Sequence, residues 1–154
     1  MKSKIVLSLA LFSSIAIASQ EPVEQSDKWY VEGLSHYVRS KEDGNFIAQL
    51  ISVGKNSSVV TFYELGNFCF GDSNDRKRVK VFHQWLNYSK KCLGGKEYWI
   101  PSSQQGIDYV SQKFSSYSDV EILFGNSNYS FSTKYFPSVR QRWEKTLKKS
   151  GNAL

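Results

Sequence analysis

The two cysteines constrain this chain more than any other feature. Cys69 and Cys92 are the only cysteines among its 154 residues, and they flank a dense basic segment. Residues 1–18 have the pattern of a secretory signal peptide: two lysines, an apolar run too short to span a bilayer, and an A-x-A cleavage motif. Since two cysteines in an exported domain usually pair, we predict a Cys69–Cys92 disulfide.

The chain after the predicted cleavage site has the size of one domain. Residues 19–28 are polar and acidic and are expected to form a flexible lead-in, while residues 29–150 are expected to form a single globular domain. The signal contains two lysines and no acid, so its removal changes the net charge from +6 to +4. We expect a secreted or periplasmic protein with no stable membrane anchor, and its modest positive charge suits an anionic partner.

Strand patterns dominate the first two thirds of the domain. The clearest is a hairpin of residues 46–53 and 58–63, with turns expected at residues 40–45 and 54–57. A second pair, with its turn at His83 and Gln84, carries the basic segment. The full set of predicted strands is 29–38 (interrupted near Gly33), 46–53, 58–63, 78–82, 85–92, 97–100 and 119–124.

Two helices complete the predicted fold. Ser102 is the expected N-cap of the first helix, in a capping box with Gln105. A second helix is expected from about residue 132, with Pro137 within or near its first turn. Its predicted apolar face consists of Phe136, Val139, Trp143 and Leu147. We therefore predict the α+β class: an antiparallel β-sheet with one helix inserted between strands and an amphipathic C-terminal helix.

The basic segment is the strongest candidate for a binding surface. Basic side chains neutralise phosphates and aromatic rings stack on bases or sugars, so the mixture suits a single-stranded nucleic acid or another anionic polymer. The structural alternative is that the charges are a solvated face and the aromatic residues are core. The candidate binding residues are Arg76, Lys77, Arg78, Lys80, Trp85, Tyr88, Lys90 and Lys91, with Lys96 close by.

The two histidines suggest an enzymatic alternative. In a small secreted ribonuclease or other phosphodiesterase, His36 and His83 would act as general acid and base beside a lysine. Nothing in their spacing brings them together, so we assign no catalytic residue. A third hypothesis is an inhibitor of a secreted hydrolase.

The sequence predicts neither a metal site nor a cofactor site. Asp72 to Asp75 offers clustered oxygen ligands but lacks the rest of a calcium loop, and a turn explains it better. The leading hypothesis is therefore an exported, non-enzymatic interaction domain. Its partner is expected to be an anionic polymer or an envelope or extracellular protein.

Overall fold

A computed structural model of the protein describes residues 28–32, 35–53, 57–71 and 73–150. The predicted signal peptide, residues 19–27 of the lead-in and residues 54–56 of the second predicted turn lie outside this part of the chain. Within the described residues, no helix is both long and apolar enough to cross a membrane.

The fold is an antiparallel sheet with two helices, which confirms the predicted α+β class. Within the described residues, nine strands form one sheet in the order β1-β2-β3-β4-β7-β6-β5-β8-β9. The elements are β1 Tyr30–Glu32, β2 Ser35–Arg39, β3 Phe46–Val53, β4 Ser57–Glu64, β5 Arg76–Val81, β6 Gln84–Leu93, β7 Lys96–Pro101, α1 Gln104–Ser116, β8 Asp119–Phe124, β9 Ser127–Ser132 and α2 Phe136–Ser150.

The sheet is strongly curved, as contacts between strands that lie far apart in its order show. Phe46 of β3 stacks on Tyr129 of β9, with 4.1 Å between the ring centroids. The backbone N–H of Lys41, just after β2, donates to the carbonyl oxygen of Ser130 on β9 at 2.9 Å. The curvature gives the sheet an inner face, which encloses the main core, and an outer face.

Both helices pack against the inner face. Val110 and Phe114 of α1 are fully buried in the main core, as is Phe136 of α2, and Trp143 is nearly so. Val139 and Leu147 of α2 are partly buried against the same core, which confirms the predicted apolar face of the C-terminal helix. Alternate residues of the strands point outward and form a smaller cluster of Tyr37, Ile47, Tyr63 and Tyr98.

Two predictions are wrong, one for the first strand and one for the N-cap of the first helix. The first strand is not one interrupted strand: β1 and β2 pair with each other as a hairpin, Tyr30 opposite Tyr37. The N-cap of α1 is Ser103, whose hydroxyl accepts from the N–H of Gly106 at 3.1 Å. The predicted cap, Ser102, lies one residue earlier, and its hydroxyl bonds that of Ser89.

The strand β9 was not predicted, and it delays the second helix. Residues 125–129 are rich in glycine, asparagine and serine, so the sequence favours a turn there. The structure confines the turn to Gly125 and Asn126 and pairs Ser127–Ser132 with β8, so α2 begins only at Phe136. Pairing with β8 outweighs the weak strand preference of these residues. Pro137 is the second residue of α2, where it removes no internal hydrogen bond.

Candidate functional site: a basic stripe on the outer face

The hairpin of β5 and β6 carries most of the predicted binding residues. Its turn is Phe82–His83, one residue earlier than predicted. Val79 of β5 and Leu86 of β6 lie opposite each other in the inner core, so residues one position away point outward. The outward cross-strand pairs are Arg76 with Ser89, Arg78 with Asn87, and Lys80 with Trp85.

The outward basic and aromatic side chains of this hairpin share one surface, the outer face of the sheet. We call this group of side chains the basic stripe, and it consists of Arg76, Arg78, Lys80, Trp85 and Lys91. The guanidinium carbon of Arg78 lies 5.2 Å from the ring centroid of Trp85, within the range of a cation–π contact. Because 45% of Trp85 is exposed, the ring retains surface on which a ligand can stack.

Three of the four cations of the stripe, all of them on β5, have no acidic partner among the described residues. Among the described residues, Arg76, Arg78 and Lys80 form no ion pair. The acids near the hairpin are engaged elsewhere: Asp75 and Glu97 both pair with Lys90, at 2.5 and 3.5 Å. Glu121 is the exception, since it lines a shallow depression with Lys80 and His83 at one end of the stripe.

Two predicted binding residues, Lys77 and Lys90, point to the inner side instead. Lys77 alternates with Val79, and its ammonium lies 4.1 Å from the ring centroid of Phe124. Lys90 pairs with Asp75, and their hydrogen bond raises the pKa of the lysine and lowers the pKa of the carboxyl group. Both lysines therefore lie on the inner side of the sheet and do not belong to the outer surface.

Tyr88, also predicted as a binding residue, is fully buried in the inner core. Burial raises the pKa of its hydroxyl, which has no hydrogen-bond partner among the described residues. Its ring packs 5.7 Å from that of Phe62, so a ligand cannot stack on it. Tyr88 is thus a core residue, as the structural alternative proposed for the aromatic residues.

We expect Tyr88→Phe to leave stability unchanged or to raise it by about 1 kcal/mol. Removal of a buried hydroxyl without a partner relieves a desolvation penalty of about 1–3 kcal/mol, while the lost atom leaves only a small void. Urea denaturation of both proteins would measure the change. A loss of more than about 1 kcal/mol would contradict the assignment, because it would mean that the hydroxyl makes a hydrogen bond.

The predicted disulfide is confirmed by the geometry of the two cysteines. Cys69 and Cys92 lie with their Cα atoms 5.8 Å apart and their sulfurs at bonding distance. The bridge joins β6 to the segment that follows β4, where the N–H of Cys69 also donates to the carbonyl oxygen of Gly95 at 3.1 Å. It therefore fixes the segment around Cys69 beside the β6–β7 turn.

The structure does not bring the two histidines into one site. His36 lies on β2 opposite Leu50 and is only 3% exposed. His83 is exposed in the β5–β6 turn, beside Lys80 and Glu121. The described residues contain no cluster of three or more histidine, cysteine or acidic side chains that would hold a metal ion.

A group of exposed apolar side chains beside the disulfide, which we call the apolar tip, was not among the residues predicted from the sequence. It consists of Phe68, Phe70 and Leu93, which are 76%, 101% and 44% exposed. The pattern F-C-F contained part of the signal: neighbouring residues of an extended segment point to opposite sides, so Phe68 points away from the disulfide, while Phe70 lies in a bend and is fully exposed.

Comparisons with known proteins add no assignment: no family model, no curated protein and no solved structure matches the chain.

Proposed function

We propose that the protein is an exported, non-enzymatic binding domain whose basic stripe holds an anionic polymer. One observation carries this proposal: Arg76, Arg78 and Lys80 alternate along one strand, share the outer face with Trp85, and form no ion pair among the described residues. Phosphate groups or comparable anions would neutralise the cations, and a base or a sugar ring would stack on Trp85.

The dimensions of the stripe suit an extended polymer. Trp85 and Lys91 lie on the same strand, six positions apart, which corresponds to about 20 Å at roughly 3.4 Å per residue. That length offers contacts to several charged groups of a linear chain. Export is supported by the paired cysteines and by the signal-like first eighteen residues.

The variant R76Q/R78Q/K80Q is expected to bind single-stranded RNA at least about tenfold more weakly than the unmodified protein at 0.1 M salt. It removes three phosphate contacts, so the slope of log K against log salt should become shallower by about 2. Fluorescence anisotropy with labelled poly(U), over a series of salt concentrations, measures both quantities.

The matched control is K145Q/K148Q/K149Q, which removes three exposed cations from α2, outside the stripe. It removes as many positive charges as the stripe variant does but leaves the stripe intact. It should therefore bind RNA within about twofold of the unmodified protein. Equal weakening by both variants, or unchanged binding by a folded stripe variant, would overturn the proposal. Cleavage of the RNA would favour the phosphodiesterase alternative, and His83→Ala would then be the next variant.

A further inference from the structure

Two residues of the apolar tip, Phe68 and Leu93, lie on the same face as the basic stripe. Leu93 pairs with Lys96 across the β6–β7 hairpin, and Phe68 pairs with Lys96 from the other side. Paired residues in a sheet point to the same side, and Lys96 points outward, since its ammonium lies 5.6 Å from the ring centroid of Tyr63. Leu93 is also on the outward set of β6, with Trp85 and Lys91.

The disulfide keeps the tip in this position. Cys69 lies between the two phenylalanines, and its bridge to Cys92 fixes the segment on the side opposite to the ring of Phe68. The β6–β7 turn beside it consists of Gly94 and Gly95, both at positive φ, which allows the tight two-residue connection. The side chain of Phe68 is therefore held on the outer face by a covalently restrained end of the molecule, and the neighbouring Phe70 is fully exposed.

Charge is sorted between the two faces at this end of the sheet. The cations Lys91 and Lys96 lie on the outer face beside the tip. The described acids nearby lie elsewhere: Glu97 and Asp75 pair with Lys90, and Glu64 lines a small inner cleft with Lys77 and Trp99. The two lysines therefore lie on the face where the side chains of Phe68 and Leu93 project.

From this arrangement we infer that the outer face docks on an anionic lipid bilayer. The inference rests on the proposed function: the basic stripe would contact lipid phosphates, while Phe68, Phe70 and Leu93 enter the boundary between head groups and acyl chains. A second copy of the chain fits less well, because the tip offers roughly 400 Å² of apolar surface, whereas a stable interface needs about 800 Å² per partner.

Vesicle sedimentation tests the inference on the purified protein with its disulfide intact. The probes are vesicles of phosphatidylcholine alone and of phosphatidylcholine with phosphatidylglycerol at a ratio of about 7:3. We expect at least about tenfold stronger partitioning to the anionic vesicles, since each cation near the surface contributes about a fivefold gain. The variant F68S/F70S should lose about tenfold or more of this binding. It should still bind poly(U) within about twofold, because the basic stripe is intact.

Controls separate the tip from general effects. Tyr135→Ser removes another exposed aromatic side chain, just before α2, and should leave vesicle binding unchanged. Phe70→Ser alone checks folding, since this fully exposed ring packs on nothing and its loss should still weaken binding. Unchanged vesicle binding by F68S/F70S would overturn the inference. If the protein binds poly(U) but not anionic vesicles, the inference is overturned and the proposed function stands. If it binds neither poly(U) nor the vesicles, the inference and the proposed function are both overturned.

Discussion

Replacement of Phe62 by alanine is expected to lower the free energy of unfolding by about 3–5 kcal/mol. Phe62 is fully buried at the centre of β4, and its ring lies within 6.5 Å of four other aromatic rings. These belong to Phe46, Tyr88, Phe114 and Phe131, which come from β3, β6, α1 and β9. The truncation therefore opens a cavity where the curved sheet meets the first helix, and rigid strands cannot collapse to fill it.

Guanidinium denaturation at equilibrium measures this effect, and Phe70→Ala is the matched control. The same atoms are removed in the control, but from a side chain that is fully exposed, so the change should stay within about 0.5 kcal/mol. A total stability of about 5–15 kcal/mol is usual for a domain, so Phe62→Ala could remove half of it. A loss below about 1 kcal/mol would mean that Phe62 is not the centre of the core.

Removal of the disulfide is expected to cost about 3 kcal/mol. Cys69 and Cys92 are 23 positions apart, and the chain-entropy account assigns about this much to a loop of that length. The variant C69S/C92S should unfold at a lower guanidinium concentration, while its secondary structure by circular dichroism stays the same. The native sheet is retained because β6 is also paired with β5 and β7.

Thiol counting provides the independent check. Alkylation of the denatured, non-reduced protein followed by mass spectrometry should label no cysteine, and labelling after reduction should add two groups. Two alkylated cysteines before reduction would contradict both the pairing and the argument for export. A C69S/C92S variant as stable as the unmodified protein would contradict the stabilising role of the bridge.

The local patterns of the sequence predicted much of the fold. Residues that favour strands, between two turns, located β3 and β4, and the alternation of charged and apolar residues located β5, because half-buried strands have a period of two. The same period also sorts the basic segment: Lys77 shares the parity of Val79 and Val81, so its inward position was readable in the sequence. Tyr88 shares the parity of Leu86 in the same way, so its inward position was readable too.

Other features depended on partners distant in sequence. The residues of β9 have weak strand preference, and they form a strand only because β8 provides a paired edge. Phe68 reaches the outer face beside Leu93 because the disulfide and a single bridge to Lys96 bring together segments that local patterns leave unrelated.

The sequence by itself therefore determined the α+β class, the paired cysteines, the apolar face of the C-terminal helix and the alternation that separates Arg76, Arg78 and Lys80 from the core. These properties arise from local periodicity and from the chemistry of two cysteines. Only the tertiary structure decided that the sheet curves until β3 meets β9 and that both helices cover the same face. The physical reason is that the two-residue repeat of a strand divides its side chains between the two sides of the sheet. Packing against the helices then decides which side is buried and which side can bind.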